Sequence, residues 1–305
     1  MNKISLRNIG KKIWFRISPI AYKISPVFAS KILFLFSMKQ RLNLNNPKTF
    51  NEKIQWLKLY WQNPRVAECA DKYDLRQYVK ECGLDEILNP IYGIYRSVDD
   101  IDFKKLPEKF ALKGTHGCGY NLICKDKSKL NIQEAKKLAK KWMNSKYAYV
   151  AAEVQYDKME PKLIIEKFIE GIDGEVATDY KVFCFNGIPK LTMVCEGRGE
   201  NQRAKYYFYN NDWEIIPYNN DSKEIISQGK KEHTKKPISF DDMIKYSRKL
   251  SNPFPFVRVD FYDVNGKPIL GEMTFTPCGG IDSRLDPKVD KLMGDLIRLP
   301  KKYKV

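Results

Sequence analysis

The chain contains 305 residues, of which 43% are hydrophobic and 13% aromatic, and this composition fits a folded globular protein with two or three subdomains. Its 54 lysine and arginine residues outnumber 37 acidic residues, and the net charge of +17 attracts polyanions without choosing among nucleic acid, anionic lipid and acidic polysaccharide. Seven scattered cysteines without a C-x-x-C pair, together with two histidines, exclude a zinc site of the usual spacing. We therefore expect free thiols in a reducing cytoplasm.

Residues 1–40 are basic and contain no acidic side chain. Lysines and arginines interleave with apolar and aromatic residues, and Pro19 and Pro26 divide the segment into short helices. Such helices can lie on an anionic membrane; the alternative is a helical cap that packs on the core with its lysines in solvent. We expect no secretory signal and no membrane span, because the apolar run Ile32–Phe36 is too short. The expected location is the cytoplasm, with peripheral contact at the inner face of the plasma membrane as a further alternative.

The next segment is predicted to be mainly helical. Apolar residues recur at helical spacing over residues 47–63, and Thr49 or Asn51 can cap this helix. A second helix is expected over residues 68–82, followed by a short strand within residues 87–95.

A glycine-rich loop follows in the stretch Phe110-Ala-Leu-Lys-Gly-Thr-His-Gly-Cys-Gly-Tyr-Asn121. A short apolar strand ends at Lys113, and three glycines come directly after it: Gly114, Gly117 and Gly119. Glycines let backbone N–H groups approach a phosphate closely, and the lysine supplies positive charge. The stretch matches neither the Walker pattern nor G-x-G-x-x-G, and the alternative interpretation is an ordinary turn.

Helices and antiparallel hairpins follow without regular alternation. A helix is predicted over residues 132–145, a strand over 163–169 and a strand pair, 180–185 and 189–196, around the turn Asn186-Gly187.

Beyond this strand pair, we expect an exposed polar loop over residues 218–237, a helix over 241–250 and a last hairpin formed by 256–262 and 269–275. This pattern predicts an α+β fold.

The last hairpin brings oxygen ligands and a cation to one face. Strict alternation places Arg258 and Asp260 on one face of their strand, and Glu272 and Thr274 share a face of the partner strand. Two neighbouring carboxylates that face the same way repel each other unless a cation lies between them, and Mg²⁺ prefers such hard ligands together with substrate phosphates. We predict a magnesium site at Asp260 and Glu272, with Arg258 close to phosphate. The alternative is a solvent-exposed sheet face with ordinary charges.

An earlier strand also places charged side chains on one face. Asp179 and Lys181 lie on one face of a strand whose other residues are apolar. The alternative interpretation is a cross-strand ion pair on the surface.

The order of these motifs resembles the ATP-grasp superfamily, and most closely its TupA-like branch, which is found among bacterial surface-polysaccharide gene products. The likeness covers about residues 45–300 and leaves residues 1–40 outside it. It rests on the segments Phe50-Asn-Glu-Lys-Ile-Gln-Trp56, Ala70-Asp-Lys-Tyr73, Ile101-Asp-Phe103 with Leu106-Pro107, Asp179-Tyr-Lys181 with Cys184-Phe-Asn-Gly187, Phe256-Val-Arg-Val-Asp-Phe-Tyr262 and Gly271-Glu-Met-Thr-Phe275.

The resemblance implies an ATP-grasp fold in which two α+β subdomains clasp ATP. The expected units are a basic helical extension over residues 1–45, an N-terminal subdomain over 46–107, a lid with the glycine-rich hairpin over 108–172 and a C-terminal subdomain with the metal site over 173–305.

The resemblance also implies a role for each site residue. Lys113 contacts the α- or β-phosphate, and the triphosphate is covered by the loop residues His116, Gly117, Cys118 and Gly119. The adenine hinge comprises Glu166, Lys167, Phe168 and Ile169. Asp179 holds the ribose or organises Lys181, which reaches the γ-phosphate. Mg²⁺ is held by Asp260 and Glu272, and Arg258 acts on the transferred phosphoryl group.

Two positions depart from the wider pattern. Thr274 stands where most ATP-grasp ligases have an asparagine metal ligand, as in this branch, and a hydroxyl is a weaker ligand for a second Mg²⁺. Cys118 stands where the branch more often has serine, so a hydroxyl contact to phosphate is lost.

The resemblance implies an ATP-dependent carboxylate–amine ligase that works through an acyl phosphate. Its expected partners are ATP, Mg²⁺, an amino acid or amine, and an acidic glycan or a nucleotide- or lipid-linked sugar, without nucleic acid. The expected product is an amide on a uronic acid or another carboxylate of a surface polysaccharide or its precursor. The alternatives are a glycosyltransferase of capsule or O-antigen biosynthesis and an ATP-dependent sugar kinase.

Overall fold

The computed structural model describes residue 14 and residues 16–171, 177–197 and 204–302. Within these ranges, helices combine with two antiparallel sheets, which confirms the predicted α+β class. In the same ranges, we find no helix with both the length and the apolar character needed to cross a bilayer.

The elements follow one another in a mixed order. Besides helical residues 16–24, the helices are α1 (Pro26–Met38), α2 (Phe50–Tyr60), α3 (Pro64–Ala70), α4 (Leu75–Glu81), α5 (Ile132–Met143), α6 (Ala148–Ala151), α7 (Asn220–Ser227), α8 (Phe240–Ser251) and α9 (Pro287–Leu296). The strands are β1 (Ile91–Tyr95), β2 (Phe110–Gly114), β3 (Asn121–Cys124), β4 (Leu163–Lys167), β5 (Asp179–Phe185), β6 (Ile188–Glu196), β7 (Lys205–Tyr209), β8 (Phe256–Val264) and β9 (Lys267–Thr274).

The first sheet carries the glycine-rich hairpin. Its strands lie in the order β1-β4-β2-β3, and all neighbours are antiparallel. Its core includes Phe110, Leu112, Leu163 and Ile165, which pack with Ala135, Ala139 and Trp142 of α5. This packing leaves the loop between β2 and β3 at one end of the sheet.

The second sheet has the order β7-β6-β5-β8-β9. Both turn dipeptides that predicted hairpins adopt positive φ, namely Asn186 with Gly187 between β5 and β6, and Asn265 with Gly266 between β8 and β9. Such turns match the twist of the flanking strands, and both hairpins are confirmed.

Both faces of this second sheet are covered. One face packs its Val182, Cys184, Val257 and Val259 against a cluster that contains Phe240, Met243 and Leu250 of α8. The other face packs Phe183, Phe185 and Phe256 against Phe50 and Ile54 of α2 and Met293 of α9. Because side chains alternate along a strand, Lys181, Arg258 and Asp260 continue this second face toward its polar end.

Helix α2 confirms the helix predicted over 47–63, although it is shorter. Thr49 caps it, because its hydroxyl accepts from the Glu52 amide at 3.2 Å while the Glu52 carboxylate accepts from the Thr49 amide at 3.1 Å. This reciprocal capping box fixes the start of the helix.

The single helix predicted over 68–82 is wrong. The chain forms α3 and α4 instead, separated by a turn at residues 71–74. The Asp71 carboxylate accepts from the backbone amides of Tyr73 at 2.8 Å and Asp74 at 3.0 Å. An aspartate that bonds the backbone two and three residues ahead competes with helical hydrogen bonds, which explains the break.

The loop predicted over 218–237 is also wrong in part. Helix α7 lies within it, capped by Asn219, whose side chain accepts from the Ser222 amide at 2.9 Å. Ser222 and Ile225 are buried, so packing on the sheet selects a helix in a polar sequence. Helix α9 was not predicted at all.

Candidate active site

A cavity of about 790 Å³ lies between the glycine-rich loop and the second sheet. Its walls include most of the residues singled out from the sequence: Lys113, Gly117, Cys118, Gly119, Asp179, Lys181, Arg258, Asp260, Glu272 and Thr274. These residues come from β2 and its loop on one side and from β5, β8 and β9 on the other. The fold therefore brings three separate sequence motifs to one place: the glycine-rich loop, the strand with Asp179 and Lys181, and the last hairpin.

Asp260 lies at the centre of a buried charge cluster. Arg258 donates to both of its oxygens, from Nε at 2.7 Å and from Nη2 at 2.6 Å, and Lys181 donates to Oδ2. The Lys181 ammonium also lies 2.8 Å from a carboxylate oxygen of Asp179. Asp260 is 1% exposed and Arg258 9%, so these residues do not form a solvent-exposed face.

Strand register explains this meeting of charges. Asp260 pairs with Lys181 across β5 and with Glu272 across β9, and Arg258 pairs with Thr274. Although burial alone lowers the pKa of a base, the nearby carboxylates of Asp260, Asp179 and Glu272 hold the pKa of Lys181 and Arg258 above their usual ranges. Both side chains are therefore cations at neutral pH.

Glu272 extends the cluster toward the cavity. Arg258 Nη2 lies 3.4 Å from Glu272 Oε1 and donates to Thr274 Oγ1 at 3.0 Å, while Thr274 Oγ1 donates to Glu272 Oε1 at 3.1 Å. Burial alone raises the pKa of a carboxyl, but the charges of Lys72, Lys181 and Arg258 outweigh it and lower the pKa of Glu272 to about 2. Glu272 is thus ionised at neutral pH.

The donor set fits Mg²⁺. Asp260, Glu272 and Thr274 offer two carboxylates and a hydroxyl, all hard oxygen donors, and the Glu272 side chain is 36% exposed. No group of three or more potential Asp, Glu, His or Cys ligands occurs in the part of the chain that the structure describes. A two-carboxylate set matches the way in which Mg²⁺ takes one or two carboxylates and completes its shell with phosphate and water.

Aromatic rings pack against one another and against the glycine-rich loop. Tyr120 stacks on Trp142 with ring centroids 6.0 Å apart, and Tyr147 contacts Tyr120 edge-on at 5.7 Å. A Cβ added at Gly117 would lie 2.6 Å from the Tyr120 ring and 3.1 Å from Tyr147. Only glycine therefore fits at this position without a shift of the rings.

His116 lies behind this loop rather than in the cavity. It is buried, and its Nε2 is 3.0 Å from the carbonyl oxygen of Trp142. Burial lowers the pKa of His116, so the imidazole is neutral at physiological pH and donates from Nε2 to that carbonyl. Its place in the structure is to fix the loop to α5.

The predicted adenine hinge lies beside the cavity. Lys113 Nζ is 2.6 Å from Glu166 Oε2, and this partly buried pair ties the hinge to the strand before the loop. The Lys167 backbone is already engaged, because its amide donates to Pro90 at 2.9 Å and its carbonyl accepts from Asn89 at 2.8 Å. Lys113 borders the cavity, whereas residues 166–169 are not among its walls.

Lys72 is a cavity residue that sequence reasoning missed. It lies in the turn between α3 and α4, and its Nζ donates to the carbonyl of Gly117 at 2.7 Å. Among the groups that lower the pKa of Glu272, Lys72 has the largest effect. Asp71, a turn-former in the middle of an apparent helix, signals the turn that carries Lys72 but not the approach of Lys72 to the cavity.

Glu153, which borders the cavity, and Lys58, which does not, are two further buried charged groups that were not predicted. Thr276 donates from Oγ1 to the Glu153 carboxylate, and Gln155 donates to Thr276 at 2.9 Å. Lys58 of α2 donates to the carbonyls of Ala151 at 2.7 Å and Gly279 at 3.3 Å. Complete burial lowers the pKa of Lys58 to about 8 and raises that of Glu153.

The solved structures that this chain resembles include the following three. D-Alanine–D-alanine ligase from Bacillus anthracis complexed with ATP is 15% identical over 68% of this chain and 55% of that chain, with a TM-score of 0.40. The enzyme from Helicobacter pylori is 14% identical over 84% and 68%, with a TM-score of 0.43. The ATP-grasp ligase PsnB, complexed with a variant of its minimal precursor, Mg and ADP, is 10% identical over 80% and 64%, with a TM-score of 0.41.

The chain spans little more than half the length of the first of these ligases, 55%. No curated protein sequence matches it. The family model described as TupA-like ATP-grasp matches residues 52–298. This region contains the glycine-rich loop and both strands of the β8–β9 hairpin, which carries Asp260 and Glu272 and is called the acidic hairpin below. The chain therefore belongs to the TupA-like ATP-grasp family, and its α+β architecture is an ATP-grasp fold.

Proposed function

We propose that the protein is an ATP-dependent carboxylate–amine ligase. The observation that carries this proposal is the cavity in which Lys181, Arg258, Asp260 and Glu272 meet beneath a glycine-rich loop. Family membership adds support. In the proposed reaction, a substrate carboxylate oxygen attacks the γ-phosphorus of ATP and ADP leaves. An amine nitrogen then attacks the carbonyl carbon of the acyl phosphate, inorganic phosphate leaves, and the amine loses its proton as the amide forms.

Each part of the cavity has a proposed task. Lys113 and the loop residues 117–119 hold the phosphates, with backbone N–H groups as donors. Residues 166–169, which lie beside the cavity rather than in its walls, receive the adenine. Asp179 holds the ribose or orients Lys181. Lys181 and Arg258 neutralise charge on the phosphoryl group as it moves between oxygens.

Asp260 and Glu272, with Thr274 as a weaker donor, would hold Mg²⁺. The ion, when bound, supplies positive charge that polarises the phosphate oxygens. Ionised Glu272, exposed to the cavity, and the hard donor set support this assignment.

For the carboxylate we propose a uronic acid, or another acid, of a bacterial surface polysaccharide or of its nucleotide- or lipid-linked precursor, and for the amine an amino acid. The polysaccharide context of the TupA-like branch and the net charge of +17 support an acidic glycan. Arg284 and Tyr206 line the same cavity, and the Arg284 guanidinium lies 4.8 Å from the centroid of the Tyr206 ring and 2.8 Å from the Asp282 carboxylate.

A glycosyltransferase is less well supported. An Asp-x-Asp spacing occurs at Asp100–Asp102, but both residues are exposed and neither borders the cavity. Asp102 instead caps a short helical turn by accepting from the Lys104 amide at 3.1 Å. A sugar kinase would use the same ATP site, and only its product distinguishes it.

Product analysis tests the proposal. The protein is incubated with ATP, Mg²⁺, a uronic acid and an amino acid, and we expect amide, ADP and phosphate. ADP with a phosphosugar would indicate a kinase, and turnover or thermal stabilisation with a nucleotide-sugar but not with ATP would refute the ligase.

Glu272→Gln tests the metal site within this assay. The amide keeps the shape but lacks the charge, so we expect turnover to fall at least about 100-fold while the variant still folds and unfolds in a single cooperative transition. Glu160→Gln is the matched control, because Glu160 forms an exposed ion pair with Arg96 away from the cavity. Equal activity of the two variants would exclude Glu272 as a ligand.

A further inference from the structure

Residues 16–38 form a helical cap whose inner face is fixed to the protein. Trp14 Nε1 donates to the Val150 carbonyl at 2.8 Å, and the Tyr22 hydroxyl donates to Asp157 at 2.7 Å. Ala21, Tyr22 and Ala29 pack with Ala148, Ala152 and Val154, and Phe34 joins the core beneath the second sheet. The sequence left open a helical cap packed on the core for residues 1–40, and the described residues of this segment form such a cap.

The outer face of this cap is unusually apolar. The exposed large hydrophobic residues along it are Ile17, Ile20, Ile24, Phe28, Leu35 and Phe36, and three of them, Ile20, Ile24 and Phe36, have 63%, 70% and 67% of their surface exposed. Ser25 has an extended backbone and its side chain caps α1, so the cap consists of two helices rather than one continuous helix. On the first helix, Ile17, Ile20 and Ile24 follow the spacing i, i+3 and i+7, which places them on one side. On α1, Phe28 and Leu35 follow the spacing i and i+7 and share one side in the same way. We call these exposed hydrophobic residues of both helices the outer apolar stripe.

Positive charges accompany the outer apolar stripe. Five exposed basic residues lie within the cap or directly after it in the sequence: Arg16, Lys23, Lys31, Lys39 and Arg41. The first acidic residue of the chain is Glu52, so no carboxylate offsets them within the cap. A protein partner with an apolar groove would explain the stripe alone, whereas an anionic bilayer explains the stripe and the charges together.

The same cap closes one side of the active-site cavity. Trp14, Leu33 and Ser37 belong to the cavity wall that also contains Lys181 and Asp260. Whatever covers the outer face therefore lies one helix away from the reacting groups.

We propose that the outer apolar stripe seats on the surface of an anionic lipid bilayer. Ile20, Ile24 and Phe36 enter the boundary between headgroups and acyl chains, and the lysines reach lipid phosphates from their flanks. Resting on the proposed function, this arrangement presents a lipid-linked carboxylate or amine substrate to the cavity from the membrane side.

Sedimentation of the full chain with vesicles, without ATP, tests the docking directly. We expect strong binding to phosphatidylglycerol–phosphatidylcholine vesicles and weak binding to phosphatidylcholine alone, with loss of binding as salt rises. Ile20→Asp and Phe36→Asp should each reduce partitioning into vesicles at least about tenfold, since each removes an apolar side chain that would be buried in the bilayer. Ile238→Asp is the control, because Ile238 is 86% exposed and lies outside the cap.

Three outcomes would overturn the proposal. These are equal binding of Ile20→Asp, Phe36→Asp and Ile238→Asp, no binding by the unaltered chain, or a concentration-dependent dimer that Ile20→Asp dissolves, which would show that a second copy covers the stripe. The sedimentation assay contains no nucleotide, so its result does not depend on catalysis. If the chain makes amide but does not bind vesicles, only the docking is refuted. Vesicle binding without amide synthesis would refute the ligase alone.

Discussion

At the scale of residues, Lys72 links two halves of the site. Its Nζ holds the Gly117 carbonyl of the glycine-rich loop, and its charge acts on Glu272 of the acidic hairpin. One ammonium group thus positions the loop and keeps a proposed metal ligand ionised. An ammonium next to the cavity also favours a triphosphate electrostatically.

Replacing Lys72 with Met should weaken ATP binding about tenfold, because a charge-assisted hydrogen bond and a nearby cation are lost together. Titration calorimetry with ATP and Mg²⁺ measures the effect. Lys80→Met is the control, since Lys80 is exposed on α4 and outside the cavity. Identical dissociation constants for the two variants would show that Lys72 has no part in nucleotide binding.

The sequence reveals some site residues and hides others for a physical reason. Arg258, Asp260 and Glu272 were predictable, because alternation along a strand and a short hairpin fix which side chains share a face. Lys72 and Glu153 reach the cavity only through tertiary packing, which leaves no local periodicity to detect. The roles proposed for all of the site residues stay predictions.

At the scale of elements, α9 and α2 pack more closely than side chains usually allow. A Cβ added at Gly294 of α9 would lie 2.3 Å from the carbonyl oxygen of Lys48 and 2.8 Å from the amide nitrogen of Phe50. The glycine therefore lets one helix rest on the backbone at the start of the other. Asp290 strengthens the contact by accepting from the Asn51 amide at 2.9 Å.

Gly294→Ala should destabilise the protein by about 1–3 kcal/mol, because the backbone at Lys48 and Phe50 must shift. The sign of the change in stability distinguishes the two cases, because at a solvent-exposed helix position the same substitution stabilises by about 1 kcal/mol. Urea unfolding compares it with Leu292→Ala, an exposed position on the same helix. A stabilised Gly294→Ala variant would contradict the close packing.

Elements differ in how far the sequence predicts them. The Asn-Gly turns at 186–187 and 265–266 predict hairpins because positive φ at these residues imposes a specific chain reversal. The helix α7 escaped prediction because its stability comes from burying Ser222 and Ile225 against the sheet rather than from a strong apolar pattern. Likewise, a single Asp71 turn outweighs the helical periodicity of residues 68–82.

At the scale of the whole molecule, Lys58 joins three distant parts of the chain. It extends from α2 to the carbonyl of Ala151, which ends α6, and to that of Gly279, in the segment after β9. Its charge also faces Glu153 in the cavity wall. The fold class and family follow from the sequence, whereas the subdomain boundaries stay a prediction.

Lys58→Met should lower the free energy of unfolding by about 2 kcal/mol at neutral pH, because two buried carbonyls lose their donor. The pKa of Lys58 lies near 8 in the folded state and 10.5 when unfolded, so the unfolded state binds more protons between these values. Stability contributed by Lys58 therefore rises with pH over this window, and the deficit of the variant should grow from pH 8 to 10.

Denaturant unfolding at pH 7.5 and 10 measures this deficit. Lys137→Met, an exposed change on α5, serves as the control and should show little deficit at either pH. A deficit for Lys58→Met that shrinks as pH rises would show that burial does not depress its pKa.

The stack of Tyr120 on Trp142 beside the glycine-rich loop gives the molecule a built-in optical probe. Indole emission depends on the rings and dipoles that surround it, and Trp142 is buried next to the loop that is proposed to cover the triphosphate. A shift of this loop on nucleotide binding would therefore change the emission of Trp142. Nucleotide entry could then be followed in real time without attaching a dye.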